Sequence, residues 1–209
     1  MLGGSARTSE RLNHSCRILF HRDADSTVQI GRFSIRDRSM AENVKWILDN
    51  EGPMSKIMLW AHNGHVSTFP DGAGETMGMT LRRMYGKKMV VCGFSFDHGS
   101  FQAIQQGNGL REFTVGPATP SSLDAALAAT GIPIGAIDLR GAPSIGAVAD
   151  WLNTPQLMRS IGAVCSENSP GAYFASTNLH SFDLIFFVNR TTAACKIPKH
   201  SEIEFRGEL

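Results

Sequence analysis

An α/β fold with a largely parallel sheet flanked by helices is predicted by three observations. Stretches with apolar residues at helical spacing alternate along the chain with short apolar runs. The runs at 56–61 (KIMLWA), 88–96 (KMVVCGFSF) and 184–188 (LIFFV) are too short for helices and too continuous for half-exposed strands, the pattern of strands buried on both faces. Glycine, proline and small polar residues stand between the two kinds of segment. The 209 residues are 42% hydrophobic and 19% charged, which excludes a disordered chain or a charged tail. A net charge of +1 lacks the footprint of a nucleic-acid binder. No stretch reaches the roughly eighteen apolar residues of a membrane span, and the opening MLGGSARTSE has no apolar core for a secretory signal. The expectation is a soluble, cytoplasmic protein acting on a small molecule, with neither nucleic acid nor membrane as partner and no cofactor.

Residues 1–31 carry scattered charge and little periodicity and are expected to form a poorly determined arm, residues 32–195 the domain, and 196–209 a tail. A first helix is predicted from Ile35, because Ser34 and Asp37 have capping-box spacing and Met40, Val44, Ile47 and Leu48 share a face; Gly52-Pro53 stops it. Residues 56–61 then read as a buried strand, and Met77, Leu81, Met84 and Tyr85 mark a second helix closed by Gly86. After the strand at 88–96, residues 101–105 and 112–115 suggest an antiparallel excursion, with Gly107-Asn108-Gly109 as its turn. A third helix opens at Pro120, Ser121 and Asp124, runs through Leu123 and Leu127, and ends at Gly131. A strand at 134–139, a helix at 144–152 with Ile145, Val148 and Leu152 on one face, and the strand at 184–188 complete the domain.

Chemistry is expected where the segment Trp60-Ala61-His62-Asn63-Gly64-His65 leaves the end of a predicted strand, since open α/β sheets bind ligands at carboxyl ends of strands. Two imidazoles three residues apart, with Gly64 allowing a tight turn, suit proton transfer near neutral pH. The same residues could instead bond loop carbonyls, or hold a metal if Asp71, Glu75 or His98 supplied a further ligand. Arg36-Asp37 offers a guanidinium fork beside a helix-capping carboxylate. His180 and Asp183 suggest a local hydrogen-bonded turn. Cys16, Cys92, Cys165 and Cys195 lie far apart, against a zinc knuckle or a redox pair, and Cys92 reads as a buried free thiol. No G-x-S-x-G elbow is present.

Five ordered segments resemble the erythromycin esterase-like family, which includes proteins named for succinoglycan biosynthesis. They are Arg36-Asp37 with Met40-Ala41-Glu42-Asn43; Leu59-Trp60-Ala61-His62-Asn63-Gly64-His65; Met77-Gly78 with Leu81 and Tyr85-Gly86; Gly93-Phe94-Ser95-Phe96 with Gly99-Ser100-Phe101; and Phe182-Asp183-Leu184-Ile185-Phe186. The resemblance implies a hydrolase of carboxylic esters, macrolide lactones among them, working by metal-independent attack of a histidine-activated water. It maps His62 and His65 onto catalytic positions and Asn63, Arg36 and Asp37 onto substrate-binding ones. In the family a further histidine base, with acidic and arginine partners, belongs to an early Gly-Glu-x-x-His-Gly segment, which is not found in this sequence. The resemblance therefore implies the carboxyl-terminal portion of an N-terminally truncated domain, either impaired in hydrolysis or a remnant that only binds small molecules. Such a portion should leave a sheet edge and an apolar patch uncovered, and self-associate through them.

Overall fold

Helix α1 (Gln29–Glu51) begins ahead of the capping-box spacing, because neither Ser34 nor Asp37 is used as a local cap. The computed structural model describes residues 29–69, 74–105, 107–166 and 173–194. Cys16, Cys195, Asp71 and most of the expected arm and tail therefore lie outside the described residues. Within α1, the Ser34 hydroxyl accepts a hydrogen bond from the Glu75 amide (3.0 Å), and Asp37 turns inward. Ala41 and Val44 form the buried stripe, with Met40 and Leu48 packed beside them. Gly52 ends the helix in the left-handed region (φ +97°), its N–H returning to the Leu48 carbonyl.

The strand expected at 56–61 does not form. The segment keeps the alternation of a strand: Ile57, Leu59 and Ala61 pack on the α1 stripe, while Met58 is 90% and Trp60 82% exposed. None of its backbone amides or carbonyls pairs with other backbone, so no ladder defines it. A four-residue turn, α2 (Asn63–Val66), follows. Helix α3 (Met77–Tyr85) is capped by Thr76, whose hydroxyl accepts from the Met79 amide, and buries Met77 and Leu81 against α1.

Strand β1 (Cys92–Gln105) is one continuous element where two pieces were expected. Its first half pairs in parallel with β6 (Leu184–Thr191), from Cys92 beside Leu184 to Gly99 beside Thr191. From Gly99 onward it pairs antiparallel with β2 (Gly109–Val115), through the expected turn at Gly107-Asn108. Helix α4 (Leu123–Ala128) and strand β3 (Ile134–Asp138) stand near their predicted places, β3 antiparallel to β6. Helix α5 (Ala147–Asn153) buries Ala149 and Leu152, while Ile145 and Val148, expected on its inner face, are exposed. Two short strands, β4 (Gln156–Arg159) and β5 (Phe174–Thr177), form a separate antiparallel pair that sequence reading did not find.

The four-stranded sheet runs β2-β1-β6-β3. Helices flank it, but it is mixed rather than largely parallel, because only β1 and β6 run together. The strand at 56–61 would have extended the parallel part, and it stays unpaired. The main core joins Val91, Leu123, Leu152, Met158, Leu179, Phe182 and Ile185; a second joins Ala41, Val44, Met77 and Leu81. Val66 and Met89 pack against both.

Candidate active site

The histidine segment is held to the sheet by the side chain between the two imidazoles. Asn63 donates from Nδ2 to the Phe94 carbonyl (2.7 Å) and accepts from the Phe94 amide at Oδ1 (3.0 Å). The amide thus satisfies both backbone groups of Phe94 on β1, as a neighbouring strand would. Asn63, expected among substrate-binding residues, spends its polar atoms on this anchorage.

His62 caps the α2 turn. Its backbone carbonyl accepts from the His65 amide (2.9 Å), and its ring Nδ1 accepts from the Gly64 amide (3.1 Å). Because Nδ1 must present a lone pair to that amide, the neutral ring carries its proton on Nε2. His65 is set the other way. Its Nδ1 lies 2.9 Å and 3.1 Å from the two carboxylate oxygens of Asp37, so Nδ1 is the donor, and in the neutral ring the lone pair falls on Nε2. One short turn therefore presents two imidazoles of opposite tautomer.

Asp37 is fully buried. Besides His65 it accepts from the Met77 amide at the start of α3 (2.9 Å), a donor at the positive end of a helix. Its expected contact with substrate is not available in this position; it orients His65 instead. Arg36, one residue earlier, points to the exposed side of α1 and makes no hydrogen bond or ion pair with the described residues, so the fold does not bring it to the imidazoles. Gly78 explains how α3 approaches so closely: a Cβ there would fall on the Val66 and Ser67 carbonyls. Thr76 ties the same approach, its hydroxyl donating to the Ser67 carbonyl (2.5 Å).

Beside Asn63 and Gly64 opens a cleft of about 250 Å3, reaching Ser67, Arg159, Asn178 and Phe182. Arg159 is the polar residue that sequence reading missed. Its guanidinium donates to the Phe96, Asp97 and Gly116 carbonyls and lies over the rings of Phe96 and Phe174. Burial lowers its affinity for a proton, with Asp124 and Asp97 opposing. Its backbone amide and the Ser95 hydroxyl both donate to the buried Asp124, whose carboxyl burial nonetheless holds above the ordinary range. Nothing in the spacing of these residues marks them, because strands β1, β4 and β5 and helix α4 assemble them.

The remaining candidates are used elsewhere. Glu75 pairs with Arg83 and accepts from Thr80, and His98 Nδ1 meets Asp97 at 2.8 Å. Among the described residues, no three of His, Cys, Asp and Glu converge to hold a metal ion. His180 and Asp183 do not form a local pair: His180 meets Asn153, whereas Asp183 accepts from the Val91 amide and Arg82, fixing the start of β6 to β1 and α3.

These features define a class: a mixed α/β protein whose candidate site is a pair of histidines at the edge of the sheet, one of them oriented by a buried carboxylate. A family model described as erythromycin esterase matches residues 4–191, and the chain belongs to that family. Among solved structures, a Bacillus cereus protein superposes with a TM-score of 0.69 at 23% identity, over 78% of this chain and 40% of that one. A succinoglycan biosynthesis protein gives 0.65 at 18% identity, over 87% and 49%. A histidine-to-asparagine mutant of the erythromycin esterase EreC, in its open conformation, gives 0.53 at 19% identity, over 85% and 42%. The chain thus spans less than half the length of each of these structures. No described helix is long and apolar enough to cross a membrane.

Proposed function

We propose that this chain carries a water-activating part of a carboxylic-ester hydrolase, with a macrolide lactone as one candidate substrate. The observation that carries the reading is the buried Asp37 carboxylate on Nδ1 of His65, beside a second histidine of the opposite tautomer. Nε2 of His65 takes a proton from water as the water oxygen attacks the ester carbonyl. Asp37 favours the imidazolium that forms, as an acidic partner does in other histidine-based sites. Nε2–H of His62 donates to the developing oxyanion. The tetrahedral intermediate collapses, and the departing alkoxide takes its proton from His65. Asn63 and Asp37 act as positioning residues in this scheme, and the cleft beside Gly64 is the space for the acyl or lactone portion. Arg36, exposed on α1, takes no step in this scheme.

The test is hydrolysis of a macrolide lactone and of an aryl ester by wild type, His65→Ala, His62→Ala and Asp37→Asn. Loss of the base should remove turnover to background, and loss of the orienting carboxylate should lower kcat about 10²-fold with KM little changed. Absence of turnover from folded wild type would leave the binding-only reading in place. Equal turnover in all four would show that hydrolysis, if present, proceeds elsewhere.

A further inference from the structure

The cleft beside the histidine turn carries a single charge. Of the described residues that line it, Arg159 is the only ionic one, with Asn178 and Ser181 among the polar groups around it. Its place follows from strand geometry. Alternate residues of a strand turn their backbone groups to the same edge, so the Phe94 and Phe96 carbonyls lie there about 7 Å apart. Asn63 takes the first and Nε of Arg159 the second (3.3 Å), which sets the guanidinium next to the turn that bears His62 and His65.

Arg159 is only 5% exposed. The two carboxylates whose charge it feels, Asp97 and Asp124, are committed elsewhere. Asp97 accepts from the Ala118 amide (2.8 Å) and faces His98, while Asp124 accepts from the Ser95 hydroxyl and from the backbone amide of Arg159 itself. The Phe96, Asp97 and Gly116 carbonyls take the Nε–H and the N–H groups of Nη2, and none of the described residues accepts from Nη1. Rings of Phe96 and Phe174, at 5.2 and 4.9 Å, fix the plane of the guanidinium. Ser181 repeats the pattern. It is 2% exposed and lines the same cleft; its backbone carbonyl takes Thr68, but no described residue bonds its hydroxyl. A buried cation without a contacting anion, beside a buried hydroxyl without a partner, is costly unless a ligand supplies the missing oxygens.

We infer that the cleft binds a carboxylate, whose oxygens accept from Nη1 of Arg159 and from the Ser181 hydroxyl, with the attached carbon chain against Met158 and Phe182. One cation and one hydroxyl suit a singly charged group with two oxygens; a phosphate calls for more positive charge. No acidic side chain among the described lining residues repels it. The inference concerns binding and stands without hydrolysis. Its extension, that the ester cleaved here carries an acid group seated in the cleft, rests on the hydrolytic reading.

Titration of the full chain with butyrate and with its neutral isostere butyramide, followed by heteronuclear NMR, tests this. Butyrate should shift the Arg159 Nε–H and the Asn178 and Ser181 amides along one saturating curve. Butyramide should bind at least about tenfold more weakly. Arg159→Lys assigns the Nε–H signal and should abolish binding, but it also removes carbonyl bonds that hold β4 to β1. Ser181→Ala breaks no side-chain bond among the described residues, and should weaken butyrate about tenfold with the amide spectrum otherwise unchanged. Equal affinity for butyrate and butyramide overturns the inference, as does a Ser181→Ala variant that binds butyrate like wild type. So does the absence of saturation at Arg159, whether butyrate shifts only exposed cations such as Arg36 or a carboxylate of the chain itself already holds Nη1. Every arm reads binding, so loss of the esterase reading leaves the test intact.

Discussion

Asp124 shows how a single buried carboxylate ties the sheet to its surroundings at an energetic cost. The Ser95 hydroxyl and the Arg159 amide both donate to it, yet desolvation outweighs these bonds and raises its proton affinity. The folded state therefore binds this proton more tightly than the unfolded chain does. The stability that protonation contributes is fully present below the ordinary carboxylate range of about 4, and is lost as pH rises through the higher folded value. Unfolding free energies of wild type and Asp124→Asn, measured across acid to neutral pH, should diverge accordingly. Wild type minus variant should fall with rising pH through that window and flatten above it. A difference that rises instead would mean that the hydrogen bonds dominate. Asp37 is the contrasting case: equally buried, but bonded to a histidine whose chemistry it can direct.

Elements differ in how far their residues announce them. Helix α3 was legible because its apolar spacing and its terminating Gly86 agree, and strand β6 because its apolar run is continuous. The start of α1 was not, since Ser34 and Asp37 have capping spacing but are used by Glu75, His65 and Met77 instead. Residues 56–61 have the composition of a strand and its alternation, yet composition cannot supply a pairing partner. β4 and β5 were invisible because four-residue strands carry too little periodicity. The histidine turn was found from its residue types; its anchorage to Phe94, its carboxylate and Arg159 come from distant elements and needed the fold. The approach of α3 to that turn rests on Gly78, where a methyl group would meet backbone carbonyls that have no room to move. Gly78→Ala should therefore cost about 2–4 kcal/mol and displace the turn, although alanine favours helices. Thermal unfolding checks the loss. A neutral or stabilised variant would show that the helix can withdraw from the turn without penalty.

At the scale of the whole molecule, the helical layer and the sheet are joined by few side chains, and the most central belongs to the turn that bears the histidines. Val66 packs against the main core and against the α1–α3 stripe, as Met89 does. A third cluster, Ala103, Phe113 and Cys165, sits apart at the hairpin of β1 and β2. If Val66 couples the two larger clusters, they unfold together and the turn is as stable as both. In a Trp60→Phe background, Trp46 on α1 and Trp151 on α5 report the two sides separately when each is kept as the sole tryptophan. Both probes should follow one denaturant transition in the parent protein. Val66→Ala removes two methyl groups that touch each cluster, and should lower the unfolding free energy by about 1–2 kcal/mol. Both transitions should move by the same amount and remain coincident, because the loss weakens a shared contact without cutting Met89. Movement of the Trp46 transition alone would mean that the helical layer is a separate cooperative unit, leaving the Asp37–His65 pair no firmer than the contact between two independently folding parts.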